Sequence, residues 1–126
     1  MERKTSEEVH ELLAQGWNYL DVRTPEEFEL GHVPNAVNIA VKHGSLAGLH
    51  TNESFLALVC ERFALDAPLA VGCKSGGRAK LALAQLQSAG FSRLALHSDG
   101  FDGERDAFGK RSGGWLHLGL PITRPE

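Results

Sequence analysis

Apolar positions along the chain alternate between two rhythms. From Ser6 to Gln15, Val9, Leu12 and Leu13 recur at helical spacing; Thr5 with Glu8 has the spacing of a capping box, and Gly16 supplies the stop. Asn18 to Val22 then reads as a strand. Thr24-Pro25-Glu26-Glu27 opens a short helix, with Thr24 as N-cap and Pro25 at the first position, and Gly31 ends it. A second strand is predicted over Ala36 to Val41, and a loop with two glycines over Lys42 to His50. Asn52 is placed to cap a helix running to about Arg62, in which Phe55, Leu56, Leu58 and Val59 are apolar.

Leu69-Ala70-Val71-Gly72 reads as a short buried strand that runs directly into Cys73. The next helix starts near Gly77 or Arg78 and continues through Leu81, Leu83 and Leu86 to Gly90. Arg93 to His97 is a further strand. From Ser98 onward, glycines at 100, 103, 109, 113, 114 and 119 predict a loop-rich tail, with Leu116, Leu118 and Leu120 as an apolar segment that packs back on the domain. Short strands alternating with helical segments predict an α/β fold around a mainly parallel sheet.

The 126 residues suit one domain spanning 1–126. A chain of that size buries roughly two-thirds of its unfolded surface, enough for a core without metal or disulfide staples. The net charge of −3 is spread along the chain, and no basic block marks a nucleic-acid footprint. No apolar run is long enough to span a bilayer, and Met1 to Glu8 is charged, unlike a secretory signal. Neither nucleic acid nor membrane is therefore an expected partner. The two cysteines, Cys60 and Cys73, form neither a disulfide framework nor a zinc motif, so a reducing, cytosol-like compartment is expected.

Candidate chemistry centres on strand, Gly72, Cys73, loop, Arg78, helix. Ligands of open α/β sheets bind beyond the carboxyl ends of the strands, where Cys73 falls. The following helix would offer unpaired N–H groups and its positive dipole end, which favours the thiolate, the nucleophilic form. Ser75, Gly76 and Gly77 keep the loop small, and the glycines let it curl its N–H groups toward one point. Lys74 and Arg78 would steer and hold an anionic donor. Asp21 and Arg23, after a strand end, are expected to brace the loop as an ion pair, with Arg23 near the pocket. Cys60 lies in an apolar helical segment and is expected to be structural. His32 is expected to make loop hydrogen bonds, and His43 and His50 do not suggest a metal site.

Gly72-Cys73-Lys74-Ser75-Gly76-Gly77-Arg78-Ala79 resembles the active-site loop of the rhodanese family. Leu20-Asp21-Val22-Arg23-Thr24-Pro25-Glu26-Glu27-Phe28 resembles the family's first signature, and Gly31-His32-Val33-Pro34-Asn35-Ala36-Val37-Asn38-Ile39 its second, in the family's order. The resemblance implies a five-stranded parallel sheet flanked by helices. It also implies a sulfurtransferase without metal or organic cofactor. Cys73 would take a sulfane sulfur from a donor such as thiosulfate as a persulfide, held by N–H groups from Lys74 to Arg78. A thiol, cyanide or a protein acceptor would then remove it.

Four residues separate Cys73 from Arg78. Related phosphatase and arsenate-reductase loops place five there, so the count favours sulfur over a tetrahedral oxyanion. A persulfide carrier or regulatory module for a partner protein is the other reading kept open. Downstream the chain departs from the family pattern, with a longer stretch from Asp99 to Gly109 before Gly113-Gly114-Trp115; Asp102, Arg105 and Asp106 are expected at the pocket rim.

Overall fold

The computed structural model describes residues 2–45 and 48–125. Its centre is a five-stranded, all-parallel sheet in the order β1 (Glu2–Lys4), β7 (Leu94–His97), β6 (Leu69–Gly72), β2 (Asn18–Asp21), β3 (Val37–Asn38). The helices are α1 (Ser6–Ala14), α2 (Pro25–Leu30), α3 (Phe55–Arg62) and α4 (Gly77–Ser88). Two antiparallel ribbons sit outside the sheet: β4 (Lys42–Ser45) with β5 (Gly48–Thr51), and β8 (Glu104–Arg105) with β9 (Arg111–Ser112). No helix among the described residues is long and apolar enough to cross a membrane.

Side chains alternate across the central strands, as the pleat requires. Leu20, Leu69, Val71 and Cys73 face one core with Phe55 and Val59 of α3 and Ala79, Ala82, Leu83 and Leu86 of α4. The α4 positions follow the i, i+3, i+4, i+7 stripe of a half-buried helix. Tyr19 and Ala70 face the opposite core, with Val9 of α1, Val33, Phe101 and Trp115. Leu116 and Leu120 of the expected apolar tail pack against this second core together with Ile122, whereas Leu118 is exposed. Two helix starts are settled by local chemistry: Thr5 with Glu8 and Thr24 with Glu27 both form complete capping boxes.

Several sequence expectations are corrected. Glu2-Arg3-Lys4 is an edge strand paired in parallel with β7, and charged side chains suit an exposed edge. The second strand shortens to Val37–Asn38, although Ile39 and Val41 still donate N–H bonds to Asp21 and Val22 at 3.0 and 3.2 Å. The expected loop over 42–50 is a hairpin with mostly exposed residues, which period-2 burial could not reveal; residues 46 and 47 of it lie outside the described residues. The N-cap of α3 is Ser54. Asn52 sits two residues earlier, accepting the Ser54 N–H at 3.0 Å and donating to Ala40 at 2.8 Å. Cys60 is exposed: Phe55 and Val59 face the core, and one residue further the helix has turned to solvent.

Candidate active site at Cys73

Cys73 lies one residue past the carboxyl end of β6, in the middle of the sheet, and continues the inward alternation of Leu69 and Val71. The residue is 2% exposed. The thiol sulfur accepts N–H bonds from Gly76 at 3.1 Å and Ala79 at 3.3 Å. These donors are the turn and the first turn of α4, whose N–H groups have no partner within the helix. Gly76 makes the arrangement possible. Its φ is +107°, and a β-carbon there would lie 2.9 Å from the Ser98 carbonyl oxygen. Gly77 does not share this role: it has no positive φ, begins α4 and has open space where a β-carbon would be.

The other side of the loop is fixed from behind. The carbonyls of Cys73 and Lys74 accept N–H bonds from Phe101 and Asp102, each at 2.9 Å. Val22 donates to the Gly72 carbonyl at 3.0 Å. The thiol is thus cradled by α4 in front, and its backbone is clamped to two neighbouring loops behind.

The cations divide unequally. Lys74 and Ser75 are exposed, and Lys74 Nζ reaches only to 4.0 Å from Asp102. Both terminal nitrogens of Arg78 lie on the Glu27 carboxylate, at 2.6 and 2.9 Å. This pair ties α4 to the capping box of α2, since Glu27 also accepts from the Thr24 N–H and hydroxyl. Asp21 and Arg23 form a buried, bidentate ion pair; Arg23 also donates to the Gly31 carbonyl at 2.8 Å and covers the Phe101 ring at 4.4 Å. His32 bonds the Phe28 carbonyl through Nδ1 and stacks on the Phe28 ring. Of the expected rim residues, Asp102 lines a cavity of about 270 Å³ beside the loop, together with Arg23, Glu27, Lys74 and Phe101. Arg105 is engaged with the Gly109 carbonyl, and Asp106 caps the turn before Lys110.

Burial by itself would raise the Glu27 carboxyl, but the Arg78 and Thr24 hydrogen bonds outweigh it and hold the group at about 2. The folded state therefore resists a proton that the unfolded chain accepts near the ordinary 4.5. The stabilisation is complete above that value and is lost as pH falls through about 2. Glu27→Gln is expected to flatten this acid limb of the thermal-stability profile and to lower the melting temperature at neutral pH. An unchanged profile between pH 5 and 2 would show that the pair contributes nothing.

Behind Cys73 sits a buried polar chain that sequence reading missed. Tyr19 Oη lies 2.6 Å from His97 Nδ1, and Ser6 Oγ lies 2.6 Å from His97 Nε2. Ser6 donates to Asp99 Oδ2 at 3.0 Å, so the hydrogen that Ser6 accepts comes from His97 Nε2. His97 Nδ1 shares its hydrogen bond with Tyr19, whose phenol burial holds well above its ordinary pKa. Asp99 also accepts the Gly114 N–H at 2.7 Å; burial would raise its carboxyl, but bonds from His97, Gly114 and Ser6 hold it at about 2. Serine, histidine and aspartate here do not make a hydrolytic triad. Asp99 reaches the same ring nitrogen as the serine, and His97 and Ser6 are fully buried. The chain supports the backbone under the thiol. The residues missed from sequence are Glu27, Ala79, Phe101 and this chain; only Glu27 carried a signal, its place in a capping box.

The chain is thus a parallel α/β domain with one thiol cradled by N–H groups at the carboxyl edge of its central sheet. Residues 5–106 match the family model described as Rhodanese-like domain. The chain belongs to this family. It is 40% identical over 113 residues to "Thiosulfate sulfurtransferase 16, chloroplastic" of Arabidopsis thaliana, covering 90% of this chain and 85% of that one. It is 37% identical over 95 residues to "Protein HIGH ARSENIC CONTENT 1, mitochondrial" of the same plant, covering 75% of this chain but only 56% of that longer protein. A crystal structure of Rv0390 from M. tuberculosis superposes with a TM-score of 0.81 at 28% identity, over 99% of this chain and 98% of that one.

Proposed function

We propose that this protein transfers sulfane sulfur through a persulfide on Cys73. The observation that carries the reading is the thiol itself, with the Gly76 and Ala79 N–H groups aimed at its sulfur. These donors are placed to hold negative charge on sulfur before and after transfer. The sequence similarity to a protein named thiosulfate sulfurtransferase supports the choice of donor.

In the first step the Cys73 thiolate attacks the outer sulfur of thiosulfate. The sulfur–sulfur bond of the donor breaks, its electron pair leaves with sulfite, and the anionic persulfide remains on Cys73. In the second step an acceptor takes the outer sulfur, cyanide becoming thiocyanate or a thiolate becoming a new persulfide, and the Cys73 thiolate returns. No metal or organic cofactor is required by this balance. Lys74, exposed at the loop, is the cation that steers the anionic donor, with Ser75, Gly76 and Gly77 leaving room for it. Arg78 acts mainly through Glu27, holding the start of α4 against α2. Asp21 and Arg23 brace the wall of the cavity. A reducing compartment, cytosolic or organellar, suits an enzyme whose thiol must stay free.

Incubation with thiosulfate followed by intact mass measurement is expected to show an adduct of one sulfur atom that cyanide removes as thiocyanate. No adduct with thiosulfate or any other sulfane donor would overturn the reading. A stable adduct with negligible thiocyanate turnover would point instead to a carrier serving a protein acceptor. Arsenate reduction is the second reading, because one relative is named for high arsenic content. The four-residue loop speaks against it, and Cys73-dependent arsenate turnover without sulfur transfer would establish it.

A further inference from the structure

The family match ends at residue 106, yet the wall of the cavity at Lys74, the residue after Cys73, includes Leu116 and Arg124. Three successive anchors put Arg124 there. Trp115 donates its indole N–H to the Pro121 carbonyl at 2.7 Å. Ile122 packs against the core on the α1 side of the sheet. Thr123 then exchanges both backbone bonds with His32, at 2.8 and 2.9 Å, in an antiparallel bridge. The Arg124 stem comes to rest near Gly31: a β-carbon built on Gly31 would lie 3.6 Å from both Arg124 Cγ and Phe101 Cζ.

Charge around this cavity is mostly committed. Arg23 is held by Asp21, and Glu27 by Arg78. Asp102 faces Arg111 at 3.2 Å, His117 at 2.9 Å and Lys74 at 4.0 Å. Arg124 has no carboxylate within ion-pair distance among the described residues. The apolar part of the wall is formed by Leu30, Phe101 and Leu116; Leu30 is 79% exposed. Inorganic thiosulfate has no use for such a wall. The cavity, at about 270 Å³, approaches the low end of small-molecule sites.

We propose that Arg124 is a specificity residue: it binds the carboxylate or sulfonate of an organic sulfane donor whose apolar body lies on Leu30, Phe101 and Leu116. The inference rests on the sulfur-transfer reading and names the class of donor for the same site. For a thiosulfonate donor, Cys73 attacks the terminal sulfur, the bond between that sulfur and the sulfonyl sulfur breaks, and the electron pair leaves with the sulfinate. The Cys73 persulfide is the same as with thiosulfate.

The test compares kcat/KM for para-carboxybenzenethiosulfonate and unsubstituted benzenethiosulfonate, with cyanide as acceptor, in the full chain. Wild type is expected to prefer the carboxylated donor. The preference should fall about fivefold in Arg124→Gln, the scale of a solvent-facing ion pair, and reverse in Arg124→Glu. No preference in wild type, or a ratio unchanged in both variants, overturns the assignment of Arg124 while thiosulfate turnover leaves the sulfur-transfer reading standing. Failure of wild type with every donor, thiosulfate included, overturns both.

Discussion

Cys73→Ser is expected to reduce sulfur transfer from thiosulfate to cyanide on the order of a thousandfold or more, and to abolish the one-sulfur adduct. The serine oxygen cannot carry a sulfane sulfur through a persulfide. The other cysteine, Cys60, is exposed on α3. The variant should still fold. An oxygen at the same position accepts the Gly76 and Ala79 N–H groups, and the volume removed is small, so the stability change should stay within about 1 kcal/mol. Thiocyanate formation and intact mass, read beside a melting curve, check all three points. Cys60→Ser should retain turnover. Sulfur transfer that survives in Cys73→Ser, or disappears in Cys60→Ser, would place the chemistry elsewhere.

Gly72→Ala should be the most damaging single-methyl change in the sheet. An alanine β-carbon would overlap Tyr19 Oη and lie 2.7 Å from Tyr19 Cζ and 2.9 Å from His97 Nδ1. None of these atoms can retreat, because Tyr19 and His97 are buried and bonded to each other. Accommodating the methyl means either straining β6 between its two partner strands or breaking the Tyr19–His97 bond. Overpacking and a lost buried hydrogen bond together cost about 3 kcal/mol or more. For a domain of this size that lowers the melting temperature by roughly 10 °C or more. Activity should fall too, since Gly72 sets the backbone from which Cys73 departs. Combining the change with Tyr19→Phe removes the overlapping oxygen and should recover part of the stability. A Gly72→Ala protein with an unshifted melting curve would mean that this packing is far softer than the distances indicate.

The fold class was legible because its signals are local. Thr5 with Glu8 and Thr24 with Glu27 announce helix starts, and Leu69-Ala70-Val71 announces a buried strand, whatever the rest of the chain does. The elements that escaped were the ones whose stability comes from distant main-chain partners. Glu2-Arg3-Lys4 becomes a strand only because β7 offers it an edge. The β4–β5 and β8–β9 ribbons are likewise held by pairing rather than by a buried face.

The site divides in the same way. Sequence alone determined that Cys73 follows a strand and precedes a helix in a small-residue loop, because those features are written within eight consecutive residues. It also determined that Asp21 and Arg23 are close enough to pair. Only the tertiary structure decided which groups the loop's cations serve. Arg78 meets Glu27, a residue 51 positions away, and so braces two helices. Only the fold brought Tyr19, His97, Ser6 and Asp99 under Gly72, or set Arg124 near Gly31. The physical reason is range. Caps, turns and periodicity act over three or four residues and can be read from neighbours, whereas the burial and hydrogen-bond accounting that fixes charges around a thiol is closed only when distant segments meet.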